Sequence, residues 1–173
     1  MLRSKENYKI FHTSWGWVSI GIDSQGVKFL ILPEKNKEDV LFETEKIGKM
    51  MSQIGDNKSC RDLEKEIVNY FEGTKVDFSK YPLNLSGYSM FQKKVLLIVQ
   101  KIPYGKTMSY KQVAEIAGYP GAYRAVGTTM KLNNIPLIIP CHRVIKSNGS
   151  LGGFSANGGT GLKERMLILE SNQ

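Results

Sequence analysis

Hydrophobic and polar positions recur along the chain with periods that divide it into two unlike halves. Residues 8–22 are rich in aromatic and β-branched side chains, Gln25-Gly26 offers a turn, and Val27 to Leu32 continues the same character. This pattern predicts an antiparallel hairpin at the start of a small sheet, with His12 as a structural residue in its first strand. Residues 37–53 are weakly amphipathic and predict a helix. A clearer stripe occupies 61–72, where Leu63, Ile67, Tyr70 and Phe71 fall at i, i+4, i+7 and i+8 and Gly73 offers a stop. Residues 74–88 carry no period and are expected to form a linker.

Beyond the linker the pattern becomes helical. Phe91, Val95, Ile98 and Ile102 predict one buried helix face, ended by Pro103 and Gly105. Ser109-Tyr110-Lys111-Gln112 has the Ser-x-x-Gln spacing of a capping box and precedes Val113, Ala114, Ile116 and Ala117. That short helix is expected to stop at Gly118, and Pro120 to open a second over about residues 121–131, the order of a helix-turn-helix. In the second helix Ala122, Ala125, Val126 and Thr129 can face inward, while Arg124, Gly127, Thr128 and Lys131 share another face. Two small residues flanked by two cations let a backbone approach a groove while the cations meet phosphates. A merely solvated polar face is the plainer alternative. Next, Ile135 to Ile139 is short, partly β-branched and bounded by prolines, so it predicts a buried strand leading into Pro140-Cys141-His142-Arg143-Val144. Ser147 to Ser150 reads as a turn. The stretch 152–161 carries five glycines, whose backbone can approach a ligand closely, but it lacks the Gly-Lys-Ser/Thr ending of a phosphate loop. Thr160 is expected to cap a last helix with Leu162, Met166 and Leu169 as its apolar stripe and Glu170 at its end.

Composition adds bounds. At 173 residues, 41% apolar and 10% aromatic, the chain is long enough for one ordinary domain or two small ones. No apolar run approaches a membrane span, and the first residues resemble no signal peptide, so no membrane partner is expected. Two cysteines make no disulfide framework, which suggests a reducing compartment: cytoplasmic, or nuclear in a eukaryote. The net charge of +8 changes the picture more. Residues 1–86 carry 13 basic and 13 acidic side chains, whereas residues 87–173 carry 11 basic and only Glu115, Glu164 and Glu170. Such asymmetry suggests a polyanionic partner, most simply nucleic acid, with a solvated basic surface as the alternative.

The same basic half holds the candidate chemistry. His142 and Arg143 directly follow Cys141, and both can favour a thiolate. The alternative is a cysteine that serves as a small core hydrophobe. Neighbours on a regular strand point to opposite faces, so Cys141 and His142 need an irregular backbone or a bridging water to cooperate. A histidine base also wants an orienting group. Among the three carboxylates of this half, Glu170 sits at the end of an amphipathic helix, which suggests a relay Cys141–His142–Glu170. Cys60 reads as structural. Zinc is not expected, since two Cys and two His lack ligand spacing.

Ile-Pro-Cys-His-Arg-Val, preceded by Ser-Tyr-Lys-Gln-Val-Ala and Tyr-Arg-Ala-Val-Gly, resembles the O6-alkylguanine-DNA alkyltransferase (methylated-DNA–protein-cysteine methyltransferase) family. The likeness covers roughly residues 70–170 and includes Tyr-Phe-Glu-Gly and Phe-Gln-Lys-Lys-Val. It implies an α+β protein. An N-terminal ribonuclease-H-like domain (1–80), a small antiparallel sheet with helices, would support a mostly helical, winged-helix-like domain (87–173) that holds the helix-turn-helix and the active site. The implied activity is direct-reversal DNA repair, in which an alkyl group passes irreversibly from O6-alkylguanine in double-stranded DNA to Cys141. O4-alkylthymine is a second candidate lesion. Minor-groove binding and base flipping would precede transfer. No cofactor is implied, and a monomer is expected.

By motif position, Cys141 would be the acceptor, His142 the water-linked base and Glu170 its orienting partner. Asn133 would brace the turn between recognition helix and active site. Tyr110 would donate to the departing guanine, and Arg124 would fill the space left by the flipped base. Ser109, Tyr123, Gly127, Thr128 and Lys131 complete the implied DNA-binding set. Met130, Val144, Phe154, Ser155 and Ala156 would line the base pocket, with the carbonyls of Cys141 and Val144 and the amide of Ser155 reading the guanine edge. Phe154 stands where tyrosine is commoner, and the loop 156–161 is about two residues longer than in some relatives. Three other readings compete: a damage-binding module without transfer, in which tryptophan typically replaces the cysteine; a helix-turn-helix transcriptional regulator; and a thiol hydrolase.

Overall fold

The computed structural model describes residues 7–47, 52–53 and 58–171. It is a mixed α/β chain that divides into two compact units, Met1–Val76 with Tyr81–Asn84, and Asp77–Lys80 with Leu85–Gln173.

The first unit is built on a sheet of order β3-β2-β1-β4, in which β1 (Asn7–Thr13), β2 (Gly16–Asp23) and β3 (Gly26–Glu34) run antiparallel. The short β4 (Ser52–Gln53) adds in parallel to β1. The stretch 8–22 therefore holds two strands where the pattern suggested one. A tight turn interrupts it at Ser14-Trp15, where the Thr13 hydroxyl donates to the Gly16 carbonyl (2.9 Å) and accepts the Trp15 N–H (3.2 Å). An aromatic residue at the turn hides it from a hydropathy reading. His12 lies on β1 against Trp17 of β2, its directly paired neighbour. The predicted helix 37–53 is shorter: α1 spans Lys37–Ile47, residues 48–51 lie outside the described residues, and Ser52–Gln53 is strand. α2 (Lys58–Phe71) buries Leu63, Ile67, Tyr70 and Phe71, the stripe that its spacing predicts. Cys60 is buried on the same helix.

The expected linker is ordered chain. Leu83 forms a bridge with Val27, the Val27 N–H donates to the Pro82 carbonyl (2.9 Å), and the Asn84 N–H donates to the Val27 carbonyl (2.8 Å). Val76, Phe78 and Leu85 are buried, so these side chains anchor a segment whose irregular spacing looked like a tether.

The second unit contains α3 (Met90–Gln100), β5 (Met108–Ser109), α4 (Tyr110–Ile116), α5 (Tyr123–Lys131), β6 (Val144–Ile145) and α6 (Gly159–Ser171). Capping boxes start α3 at Ser89 and α4 at Ser109, each closed by the glutamine three residues on. The buried face of α3 is Val95, Leu96 and Val99, with Phe91 and Ile98 half-buried and Ile102 buried beyond the helix end. This face is rotated from the predicted one because α4 and α5 both pack on α3. Val113, Ala114 and Ala117 are buried as expected, but Ile116 is 57% exposed. On α5 the inward face is Val126, Thr129 and Met130, and Ala125 is exposed. A two-stranded parallel pairing, Met108 to Val144 and Ser109 to Ile145, interrupts the helical pattern and ties the start of α4 to the segment after Cys141.

At the β1–β2 turn, Gly16 has φ +134°, and a Cβ there would lie 2.4 Å from the Glu34 carbonyl oxygen. No L side chain fits both constraints. Gly16→Ala is therefore expected to lower unfolding free energy by more than about 1 kcal/mol, read as a fall in urea midpoint at unchanged slope. An unaltered midpoint would show that strand β3 does not approach this turn so closely.

Candidate functional site

The apolar run 135–139 is buried as predicted except at half-buried Pro136, but it is not a strand. It is a tight turn in which the Ile138 N–H donates to the Pro136 carbonyl (3.0 Å) and the Ile139 N–H to the Ile135 carbonyl (2.9 Å). Leu137 takes the left-handed conformation, φ +72°, although it is only 1% exposed. Such a residue persists only where its surroundings over-determine it. Asn133 supplies much of that determination. Its side-chain amide donates to the Ile139 carbonyl (3.0 Å), its carbonyl accepts the Ile135 N–H (3.0 Å), and it also hydrogen-bonds the Cys141 thiol. A local side-chain bridge thus replaces the ladder that a strand would have needed.

The turn delivers Cys141–Arg143 as one turn of 3₁₀ helix, so Cys141 and His142 are not held on opposite faces of a strand. All three side chains are buried. His142 Nε2 lies 2.7 Å from Glu170 Oε1. Arg143 does not turn toward the cysteine. Its Nε donates to both Glu170 oxygens (3.2 and 2.9 Å), its second amino group donates to Oε1 (2.9 Å), and the other reaches the Ile102 carbonyl (2.6 Å). The expectation that Arg143 favours a thiolate directly is thus corrected, since its charge is committed to the carboxylate.

Burial alone would raise the Glu170 pKa, but hydrogen bonds and charge from His142 and Arg143 outweigh it and hold the carboxyl well below the usual range. Burial pushes the His142 imidazole down, only partly offset by Glu170, so the ring is neutral near pH 7. An ionised carboxylate can only accept, so Nε2 carries the proton and Nδ1 is the basic nitrogen. Burial also pushes the Cys141 thiol up, against the Asn133 hydrogen bond and the charge of Lys163. The resting pair is a thiol beside a neutral imidazole rather than a standing thiolate.

Cys141 opens onto a cleft of about 230 Å³ lined by Tyr110, Arg124, Gly127, Thr128, Met130, Lys131, Gly153, Phe154 and Ser155. The outward residues of α5 thus form one wall and the glycine-rich loop another. Tyr110 is seated against Gly152, where a Cβ would meet its hydroxyl at 2.8 Å. Burial, with the nearby Cys141, raises the Tyr110 pKa and keeps it a hydrogen-bond donor. His142, Glu170 and Val144 are buried rather than among the cleft-lining residues, and Ala156 is half-buried in the loop. Ser109 caps α4. Tyr123 lines a neighbouring hollow of about 420 Å³ with Lys111, Lys146 and Ser147.

Residues 90–172 match the family model for the DNA-binding domain of 6-O-methylguanine DNA methyltransferase. Across 165 residues the chain is 36% identical to the methylated-DNA–protein-cysteine methyltransferase of Methanosarcina barkeri, covering 95% of this chain and 97% of that one. The chain belongs to the methylated-DNA–protein-cysteine methyltransferase family. Mycobacterium leprae has another such relative, 36% identical over 83% of this chain and 82% of its own. Among solved structures, Mycobacterium tuberculosis OGT in complex with DNA superposes with a TM-score of 0.76 at 29% identity, covering 95% of this chain and 92% of that one.

One buried group of this methyltransferase was missed in the sequence. Lys163 is fully buried, its ammonium donates to the Val144 carbonyl (2.6 Å), and it lies 5.8 Å from the Tyr110 ring. Burial lowers its pKa to about 8, opposed by the charge of Cys141. The buried stripe of α6 is Lys163, Met166 and Glu170, while the predicted Leu162 and Leu169 are half-buried. Thr160 lies inside the helix rather than at its cap. The signal was available: Lys163 stands seven residues before Glu170, on the same helix face.

The buried relay dictates acid sensitivity. Glu170, depressed in the folded state, contributes stability that is complete above its unfolded pKa of about 4.3 and lost as pH falls through the folded value. His142, also depressed, contributes stability that is lost as pH falls below its unfolded pKa of about 6.5. Urea midpoints are therefore expected to fall in two stages on acidification, and Glu170→Gln to shrink the lower one. A variant that keeps the lower stage whole would show that other carboxylates set it.

Proposed function

We propose that the chain repairs O6-alkylguanine in double-stranded DNA by direct reversal, with Cys141 as the one-time acceptor of the alkyl group. The observation that carries this reading is the position of Cys141 in a single-base-scale cleft, with the cationic face of α5 on one side and the buried His142–Glu170 pair behind it. A duplex cannot enter such a cleft, so the damaged nucleotide leaves the stack to reach the thiol. Thr128 and Lys131, exposed on α5, meet the minor-groove backbone, and Gly127 lets the helix approach; Ser109 and Tyr123 flank this contact. Arg124 fills the vacated stack. Met130, Val144, Phe154, Ser155 and Ala156 surround the extruded base.

Transfer follows from the resting protonation states. His142, through Nδ1 and a bridging water, takes the Cys141 proton, and Glu170 stabilises the imidazolium at Nε2. The sulfur forms a bond to the alkyl carbon as the carbon–O6 bond breaks, and that electron pair stays with guanine. Tyr110 donates a proton to the departing base and recovers one from the pool charged at His142. Lys163 meets the transient thiolate, and Asn133 holds the turn that aims it. The thioether has no easy hydrolysis route, so each molecule acts once.

On this reading the finer architecture is ribonuclease-H-like for the supporting domain (1–80) and winged-helix-like for the DNA-binding domain (87–173). The protein works as a cytoplasmic monomer, nuclear in a eukaryote, without a cofactor, and O4-alkylthymine is a second lesion of matching chemistry. The relative solved with DNA supports the choice of partner. No helix among the described residues is long and apolar enough to cross a membrane.

Incubation with duplex DNA containing O6-methylguanine is expected to add one methyl group to the Cys141 peptide, saturating at one equivalent and absent in Cys141→Ala. Tight lesion binding without a mass change would sink the transfer reading and favour a damage-binding module. Substituting Lys131 by Gln should lower the slope of log affinity against log salt by about 1. A slope that does not move would remove α5 from the phosphate contact.

A further inference from the structure

The relay behind Cys141 contains one group more than the acceptor, base and orienting carboxylate require. Arg143 is buried with them, its side chain 6% exposed against 1% for Glu170 and 0% for His142. Its guanidinium grips both oxygens of Glu170 and is itself fixed by the Ile102 carbonyl and by the Tyr104 ring, 5.7 Å away. The Gly105 N–H adds a donor to Oε2 (3.0 Å).

We propose that Arg143 is a positioning residue for alkyl transfer, whose guanidinium fork keeps the Glu170 carboxylate ionised and so fixes which nitrogen of His142 can act as the base. This inference rests on the transfer reading above and deepens it.

The tautomer argument gives the reason. Oε1 of Glu170 faces Nε2 of His142 at 2.7 Å, and between them there is room for one proton. With Arg143 present the carboxylate accepts, Nε2–H donates, and Nδ1 is left basic for the thiol proton. Without Arg143 a buried carboxylate facing a neutral imidazole would take up a proton, since burial raises its affinity. A protonated Oε1 would donate to Nε2, and the ring proton would move to Nδ1, where no base then remains. Lysine is the weaker substitute, because a point charge does not span both oxygens as the planar fork does, and a buried ammonium loses its own proton far more readily than a guanidinium.

Other charged and titratable groups face this cluster. Lys163 of α6 and Arg143 both oppose protonation of His142, and Glu170 favours it. Tyr104 faces Glu170 and Arg143, and the exposed Asp77 faces Arg143. Arg143 reaches His142 through the carboxylate, because both bind Glu170 Oε1.

The test uses the full-length protein and the variants Arg143→Lys and Arg143→Met. The chain has only two histidines, His12 and His142, so imidazole nitrogen NMR can follow the tautomer directly. Single-turnover methyl transfer from O6-methylguanine duplex would be measured across pH, with lesion affinity and urea midpoint alongside. We expect Arg143→Lys to keep fold and lesion affinity, to lose transfer by about a hundredfold, and to shift His142 from the Nε2–H toward the Nδ1–H form. The acid limb of its rate profile should also change shape. An unshifted tautomer with rate loss equal at all pH values would overturn the proposal and leave Arg143 a packing residue. Should Arg143→Met fail to fold, Arg143→Lys decides alone. Should the unmodified protein transfer no methyl group, the transfer reading fails, while the tautomer comparison still decides the role of the fork.

Discussion

An ionised carboxylate inside a protein is tolerable only when its lone pairs are met, because desolvating an unpaired charge costs several kcal/mol. Glu170 is in that position, and its partners come from two other stretches of chain. Gly105 follows α3, His142 and Arg143 stand in the turn after the buried loop, and Glu170 closes α6. Neither partner stretch is a long regular element. The carboxylate makes them one assembly, since displacing any one leaves the charge short of donors.

A second constraint acts on the cysteine. Burial keeps the thiol protonated at rest, which fits the proposed one-time acceptor. Asn133 and Lys163 pull the other way, yet weakly enough that burial prevails. On that proposal the site waits for a base and a substrate together, and the cleft admits only one small group at a time. Its walls come from a helix whose apolar side is committed to the core and from a loop with little side-chain bulk. Tyr110 bridges the two because Gly152 leaves it room.

Much of this was legible in the sequence where a local rule decides the structure. The capping box at Ser109, the α2 stripe and the outward face of α5 follow from spacing alone. Cys141, His142 and Glu170 were singled out by chemistry and scarcity of carboxylates, and the fold brings His142 and Glu170 into contact. The failures share a cause: a side chain overrode hydropathy. An apolar run reads as a strand, but Asn133 and a left-handed Leu137 make 135–139 a turn. Trp15 in a turn looks like strand. Buried Val76, Phe78 and Leu85 fix what resembled a tether. Arg143 and Lys163 are charged, and the usual expectation sends such residues outward; only their carboxylate and carbonyl partners in space bring them in.

The uneven distribution of charge has a further consequence. Asp77 and Lys80 cancel, and Tyr81–Asn84 carry no charge, so the first compact unit is neutral and the second holds the full +8. The centre of charge is therefore displaced from the centre of mass. In the field of a polyanion such a molecule experiences a torque as well as an attraction, and it turns its basic unit forward before any contact forms.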